Sequence, residues 1–209
     1  MKKKELELKL QAIQAKYSSP DPRLEQYLTP PWMASDILYN AFLLGDIGGK
    51  EVIDLGCGTG TFAIGAHILG ARVTGVDVDP KAIEVARSIC PSIEYICSDV
   101  NDFNPGRGWD TSIQNPPFGS QKKGADRPFI KKSSEIAHTL YTMHLDISSG
   151  FIIKLILSLG GRITHEKRYK FPIPYTYKHH RKEVERVDVR MFRVIWNDQR
   201  CGRIEVPRR

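Results

Sequence analysis

Residues 52–60 have the sequence VIDLGCGTG, a short apolar run that passes into a turn containing three glycines. Such an apolar run is typical of a buried parallel strand, and glycines allow a backbone to approach a ligand closely. A helix that begins after the turn would also direct unpaired N–H groups toward that ligand. The stretch therefore predicts a strand, a ligand-binding loop and a helix, although nicotinamide- and flavin-binding proteins use a similar loop.

Downstream of this stretch, short apolar runs alternate with helical stretches, as in parallel strands joined by crossover helices. Strands are predicted at 51–55, 72–77, 93–97, 109–114, 141–146, 162–170 and 184–196, and helices near 59–69, 80–89, 127–138 and 149–159. The last two strands follow each other without a helix, so they should form an antiparallel pair at one edge. We therefore predict an α/β fold with a doubly wound, mostly parallel, seven-stranded sheet and an antiparallel edge strand.

Two N-terminal helices are predicted before the first strand. Over residues 4–17 apolar residues recur at intervals of four, three and four, as on one helical face, and a second helix should occupy residues 32–44. A chain of 209 residues fits a single domain. Within that domain we expect a helical cover at 1–48, a cofactor-binding core at 49–160, and basic strands with a loop at 161–209.

The net charge of +7 lies in the last quarter of the chain. Residues 1–160 hold 17 Lys and Arg against 18 Asp and Glu, whereas residues 161–209 hold 14 against 6, a net charge of +8. A basic segment beside a neutral body is typical of a polyanion-binding surface, because neutralised phosphates supply affinity that is independent of sequence. The alternative is a solvated face that only keeps the protein soluble.

Composition disfavours membrane, secreted and zinc-binding proteins. No apolar run reaches the roughly 18 residues of a membrane span, and the charged N-terminus lacks the apolar stretch of a signal peptide. We therefore expect a cytoplasmic protein with no membrane partner. No CxxC pair occurs, so neither a disulfide framework nor a metal site is indicated. The four cysteines are Cys57, Cys90, Cys97 and Cys201.

Acidic residues stand at the ends of the second and third predicted strands, as well as within the first. Asp77 lies 23 residues after Asp54, and Asp99 follows the third strand. A carboxylate at the first position can accept two hydrogen bonds from a ribose diol, and one at the second can accept from an adenine amino group. Ligands of such sheets bind at the carboxyl ends of the strands, so these acids predict a nucleotide-like cofactor. Each acid alone could instead cap a turn or a helix.

The fourth strand is followed by Asn115-Pro116-Pro117-Phe118. Two successive prolines fix φ and remove two donors, so an amide side chain and backbone carbonyls can act together as acceptors for an NH₂ group. Acceptors on both hydrogens favour the electron-rich nitrogen of a transition state, and Phe118 offers a face for the ring that bears the amine. In isolation, the motif could be a turn beside a core phenylalanine.

Four motifs together resemble the class I amino-methyltransferases: LEQY at 24–27, Thr29-Pro30, DLGCGTG at 54–60 and NPPF at 115–118. The combination is similar to the archaeal and eukaryotic family that methylates N6 of an adenosine in small-subunit ribosomal RNA. One departure is Leu28, where the family usually has proline. The resemblance implies a Rossmann-like sheet and S-adenosylmethionine as the cofactor.

The resemblance also implies site residues. The target base would be held by Asn115, Pro116, Pro117 and Phe118. The predicted cofactor-binding residues are Gln26, Tyr27, Thr29, Asp54, Gly56, Gly58, Thr59, Gly60, Asp77, Val78, Asp99, Val100 and Asn115.

An aromatic and basic run at 169–182 suits looped or single-stranded RNA, because rings stack on splayed bases and cations follow the backbone. A structural hairpin is the alternative. The predicted nucleic-acid-binding residues are Lys122, Lys123, Tyr175, Tyr177, Lys178, Arg181 and Lys182. The resemblance implies ribosomal RNA as a partner, and a counterpart of the small zinc-binding activator protein that covers an apolar sheet edge in the eukaryotic members. In this sequence the β-rich third strand, residues 93–97, is the candidate for pairing with such a protein.

The predicted reaction is direct methyl transfer to an amino nitrogen, without a covalent enzyme intermediate or a metal. One alternative is a protein glutamine N5-methyltransferase of the release-factor type, because the same acceptors fit a side-chain amide. Another is a non-catalytic RNA-binding module with a vestigial cofactor fold. A nicotinamide oxidoreductase is disfavoured because no suitable proton donor accompanies the glycine loop.

Overall fold

The computed structural model describes residues 1–14, 21–174 and 184–197. The strands within these ranges are β1 Glu51–Leu55, β2 Arg72–Asp77, β3 Glu94–Cys97, β4 Trp109–Gln114, β5 Ala137–Leu145, β6 Gly161–Pro174 and β7 Val184–Trp196. The α-helices are α1 Lys3–Ile13, α2 Pro31–Leu43, α3 Thr61–Ile68, α4 Pro80–Ile89, α5 Arg127–Ile136 and α6 Ser149–Ser158. None of these helices is both long and apolar enough to cross a membrane.

The seven strands form one sheet in the order β3-β2-β1-β4-β5-β7-β6. Strands β1 to β5 are parallel, and β7 runs antiparallel to both of its neighbours, β5 and β6. The predicted doubly wound, mostly parallel sheet with an antiparallel pair at one edge is therefore confirmed. The strand order reverses between β1 and β4, and a crevice forms outside the carboxyl ends of strands at such a point.

Several element bounds differ from the prediction. The fifth strand begins at Ala137 instead of 141, because Ala137 pairs with Trp109 of β4 and most of the strand is buried between β4 and β7. Helix α3 begins at Thr61 instead of 59, because Gly60 has a left-handed φ of 92°. Helix α1 ends at Ile13 instead of 17, and residues 15–20 lie outside the described ranges.

Helices α1 and α2 pack on the sheet through buried side chains such as Leu6 and Leu38. A Cβ on Gly65 of α3 would lie 2.4 Å from Leu38, so this contact requires glycine. The Asp36 carboxylate on α2 accepts hydrogen bonds from Lys3, Lys167 and Tyr169 at 3.0, 2.6 and 2.8 Å. These bonds tie α1, α2 and β6 together, and residues 23–29, which precede α2, lie at the carboxyl ends of the strands.

Burial raises the pKa of Asp36, but the hydrogen bonds from its partners outweigh that effect and leave the pKa below its usual value. The carboxylate therefore stays ionised at neutral pH and keeps its cationic partners in place.

Candidate active site

A cavity of about 300 Å³ lies at the carboxyl ends of β1 to β4. The loops after these strands form one side, residues 23–29 cover another, and the first turn of α5 contributes Pro128 and Phe129. The predicted cofactor-binding residues in the cavity wall are Gln26, Tyr27, Thr29, Asp54, Gly56, Thr59, Asp77, Val78, Asp99, Val100 and Asn115. The other two, Gly58 and Gly60, are not part of the wall as described.

The glycine loop is shaped by positions that only glycine fits. Gly56 and Gly60 have φ values of 73° and 92°, which L-amino acids with side chains rarely adopt. A Cβ on Gly56 would lie 3.0 Å from the ring of Phe129, across the cavity wall. Gly58 shapes the loop differently, since its N–H donates to Asp77 at 2.7 Å and so joins the loop to the end of β2.

The Asp54 carboxyl lies beneath the glycine loop and is 2% exposed. Its Oδ2 accepts a hydrogen bond from the N–H of Ala63 in the first turn of α3, at 2.8 Å. Burial raises the pKa of Asp54 to about 8, and the neighbouring Asp77 carboxyl adds to the rise. A ligand that carries positive charge would therefore favour the ionised form of Asp54 at neutral pH.

Asp77 accepts two backbone hydrogen bonds, from Gly58 to Oδ2 at 2.7 Å and from Asp79 to Oδ1 at 2.9 Å. Burial raises the pKa of Asp77, although these hydrogen bonds oppose the rise. Each carboxylate oxygen has further lone-pair capacity for a ligand in the cavity. The fixed orientation of the carboxylate suits recognition of two adjacent hydroxyls.

Asp99, at the end of β3, is exposed and is held by a local turn. Its Oδ1 accepts from both the backbone N–H and the side-chain amide of Asn101, at 2.8 and 2.7 Å. These contacts involve only Oδ1, so Oδ2 can accept a hydrogen bond from a ligand amine. The predicted acids thus converge on one cavity.

The side-chain amide of Asn115 is fixed by the N-terminal cover. Its Nδ2 donates to Oγ1 of Thr29 at 3.1 Å, which orients Oδ1. This Oδ1 atom is buried and has no hydrogen-bond partner among the described residues. A buried acceptor without a donor is costly, and Asn115 lines the cavity, so a ligand bound there could supply the missing donor. Pro117 lines the same cavity, and Pro116 is buried.

Phe118 lies outside the cavity wall and joins the NPPF motif to two other parts of the protein. Its ring is nearly parallel to that of Tyr27, with centroids 6.2 Å apart, and meets Phe171 of β6 edge-on at 5.4 Å. In this arrangement the phenylalanine packs the motif against the cover and β6. Its predicted role as a stacking face for a base stays a prediction.

Gln26 links the cover to the end of β2. Its side chain accepts from the N–H of Asp21 at 2.8 Å and donates to Oδ2 of Asp79 at 2.6 Å. Asp79 also caps α4 by accepting from the N–H of Lys81. The glutamine therefore closes one side of the cavity by connecting two loops, and it also lies in the cavity wall.

Glu25 was missed as a site residue by sequence reasoning. It lies in the cavity wall, is 6% exposed and has a left-handed φ of 49°. Its Oε1 accepts from the backbone N–H of Gln121 at 2.8 Å, and Oε2 has no partner in the described part of the chain. The carboxylate thus attaches the loop after NPPF to the cover. The LEQY motif was the available signal, but residue types alone do not reveal a left-handed backbone.

Of the predicted nucleic-acid-binding residues, Lys122 lies in the cavity wall, and Lys122 and Lys123 are both exposed. The remaining ones, Tyr175, Tyr177, Lys178, Arg181 and Lys182, lie outside the described residues. Among the described residues, five cations of β6 and β7 form ion pairs: Lys167 with Asp36, Lys170 with Asp188, Arg168 and Arg190 with Asp146, and Arg193 with Asp46. Much of the positive charge on these two strands is therefore matched by carboxylates.

Comparison with known proteins supports a methyltransferase fold. A family model for a methyltransferase domain matches residues 52–115. The chain is 32% identical to rRNA N6-adenosine-methyltransferase METTL5 of Danio rerio, over 92% of this chain and 98% of the relative. It is 40% identical to the uncharacterized protein MJ0284 of Methanocaldococcus jannaschii, over 93% of this chain and 94% of that protein.

The chain is also similar in structure to a solved protein. The crystal structure of PH1948 from Pyrococcus horikoshii, a candidate RNA methyltransferase, has a TM-score of 0.85 and 40% sequence identity, covering 94% of this chain and 98% of that one. The similarity therefore includes the N-terminal cover as well as the core that the domain model matches.

Proposed function

Because this chain belongs to the METTL5-type family of rRNA N6-adenosine methyltransferases, we propose that it transfers the methyl group of S-adenosylmethionine to N6 of an adenosine in ribosomal RNA. The observation that carries this proposal is the buried, unpartnered Oδ1 of Asn115 beside the cofactor cavity. An amide oxygen fixed in this way lacks only an N–H donor, which an exocyclic amino group provides. The resemblance points further to the small subunit and to the cytoplasm.

The cavity residues fit S-adenosylmethionine, which supplies an electrophilic methyl group on a sulfonium centre. In this proposal Asp77 accepts hydrogen bonds from the ribose hydroxyls, and Asp99 accepts one from the adenine amino group. The loop at Gly56 lets the backbone approach the ligand, and the ionised form of Asp54 favours its positive charge. These assignments are part of the proposal.

Asn115 then acts on the target amine. Its Oδ1, together with a backbone carbonyl of the NPP turn, accepts the two hydrogens of the amino group. Hydrogen bonds of this kind favour a pyramidal nitrogen whose lone pair is no longer delocalised into the ring, and they become stronger as positive charge develops on that nitrogen. The rigid prolines keep the acceptors at fixed positions, so the amine reaches the methyl group in a productive orientation.

The proposal is tested by incubating ribosomal RNA with the protein and isotopically methyl-labelled cofactor, then identifying the labelled nucleoside by mass spectrometry. We expect label in N6-methyladenosine at one position. Label in another nucleoside would mean that the adenosine assignment is wrong. The Asn115→Ala variant serves as the negative control.

The raised pKa of Asp54 predicts that cofactor affinity depends on pH. A cationic cofactor favours the carboxylate, so its binding lowers the pKa of Asp54 and releases a proton. Affinity should therefore fall as pH falls below about 8, by up to about tenfold per unit, and level off above that pH. Titration calorimetry in buffers with different ionisation enthalpies measures the released proton.

For this titration Asp54→Asn should remove the pH dependence, because an amide does not titrate in this range. Asp110→Asn is the control, since Asp110 lies at the opposite end of β4 and accepts from the N–H of Glu51. Cofactor affinity that is independent of pH in the unmodified protein would refute a titrating Asp54.

RNA binding is proposed to involve the basic run beyond β6. Replacing Lys178, Arg181 and Lys182 with alanine should weaken RNA binding without changing cofactor affinity. Each lost phosphate contact lowers the log–log salt slope by about 0.7 for single strands, so three should lower it by about 2. Lys154→Ala is a control, because Lys154 is an exposed cation on α6 and lies outside the run. Wild-type RNA affinity and salt slope in the triple variant would show that the run does not contact RNA.

We also propose that an activator protein pairs with β3. This strand, Glu94–Cys97, lies at the edge of the sheet, where one row of backbone N–H and C=O groups is available for another strand. Sedimentation and assay of the isolated chain test the proposal. A monodisperse and fully active chain would show that the activator is dispensable.

A further inference from the structure

The loop that carries Asn115, residues 115–125, enters and leaves the core through two buried polar residues. Gln114, the last residue of β4, precedes the loop, and Asp126 follows it. Both are joined to β5 by side-chain hydrogen bonds, Gln114 to Thr142 at 3.1 Å and Asp126 to His144 at 2.9 Å. Thr142 and His144 are themselves 2.8 Å apart, which completes a chain of four side chains.

The four residues of this chain are at most 7% exposed. The Gln114 amide donates to Oγ1 of Thr142, and the same Oγ1 forms a hydrogen bond with Nε2 of His144. Nδ1 of the histidine ring forms a hydrogen bond with Oδ2 of Asp126. Three hydrogen bonds in series therefore join the four side chains.

The carboxylate of Asp126 forms its hydrogen bond within this four-residue network and not with the first turn of its own helix. The residue occupies the N-cap position of α5, where an aspartate usually accepts from the backbone N–H groups of the first turn. Here the side chain makes no capping hydrogen bond. Its Oδ2 binds His144 instead. The exit of the loop is therefore fixed to β5, while helix α5 begins without its usual cap.

We propose that Thr142 and His144 are positioning residues for methyl transfer, which hold both ends of the Asn115 loop at a fixed distance from the sheet; this rests on the proposed function. The loop is attached to the cover by two described side-chain hydrogen bonds, Asn115 with Thr29 and Gln121 with Glu25, and by the packing of Phe118 on Tyr27. Fixing both ends of the loop sets where the Asn115 acceptor lies relative to the cavity. Small displacements of such a group are costly to the rate.

The test removes the central hydrogen bonds of this four-residue network through a substitution that changes the side-chain volume little. Thr142→Val removes the hydroxyl and should lower kcat by about 10- to 100-fold. The KM for RNA and the cofactor dissociation constant should stay close to those of the unmodified protein. Thr142→Ser restores the hydroxyl and should recover most of kcat. Thr139→Val is the matched control, because Thr139 is buried on the same strand and is not one of the four hydrogen-bonded residues.

A second readout requires no substrate and so separates this inference from the proposed function. Amide hydrogen exchange of residues 118–125 should accelerate in Thr142→Val and stay unchanged in Thr139→Val and Thr142→Ser. If Thr142→Val does not fold, Asp126→Ala should give the same kcat loss and faster exchange, because it releases the other end. Unchanged kcat and exchange in the folded variants, or an equal loss in Thr139→Val, would overturn the inference.

Discussion

Replacing Asn115 with alanine is expected to lower kcat by about 10²–10³ while leaving S-adenosylmethionine affinity nearly unchanged. The reason is that Oδ1 of Asn115 is fixed, buried and without a partner in the described structure, and the proposed function assigns its acceptor capacity to the target amine. Loss of one such acceptor removes an interaction that strengthens in the transition state. Single-turnover kinetics and calorimetry measure the two quantities separately.

Asn101→Ala provides a matched control for Asn115→Ala. Asn101 also lies in the cavity wall, and its amide donates to Asp99. Its loss should therefore affect cofactor binding more than kcat, the opposite of the result for Asn115. A folded Asn115→Ala variant that no longer binds S-adenosylmethionine would place Asn115 in the cofactor site and remove it from the target site.

Replacing Asp77 with alanine is expected to weaken S-adenosylmethionine binding by on the order of 1.5–3 kcal/mol, because two ribose hydroxyls lose a charged acceptor. Asp77 also binds the N–H groups of Gly58 and Asp79, so part of any loss could come from a displaced loop. Calorimetry with a cofactor analogue that lacks the ribose 2′-hydroxyl separates the two effects.

If Asp77 binds the ribose, Asp77→Ala should cost the deoxy analogue less affinity than it costs the complete cofactor. An equal loss for both ligands would attribute the effect to the loop. An unchanged dissociation constant for S-adenosylmethionine would reject the ribose assignment.

The fold and the location of the site were largely predictable from local patterns. The sheet follows from apolar runs that alternate with helical stretches, and the cavity follows from acids at strand ends, because parallel strands bring their carboxyl ends to one edge. The start of β5 was missed because residues 137–140 owe their strand structure to pairing with β4 and β7. Such pairing is a tertiary effect that a local window does not contain.

Side-chain contacts between distant parts of the chain were not predictable. Net charge along the sequence suggested a basic surface, but Arg193 pairs with Asp46 and Lys167 with Asp36, and both carboxylates belong to the neutral part of the chain. The left-handed backbone of Glu25 gave no signal either. Phe118 was identified by its motif, yet its packing against Phe171 depends on where β6 lies.

The central claim, methyl transfer to an adenosine of ribosomal RNA, is tested most directly by a competition for label. Ribosomal RNA and a translation release factor are incubated together with the protein and methyl-labelled S-adenosylmethionine, and the label is located in each by mass spectrometry. The account predicts that the label enters RNA as N6-methyladenosine and that the release factor stays unlabelled. Label on a glutamine of the release factor, with none in RNA, would contradict it.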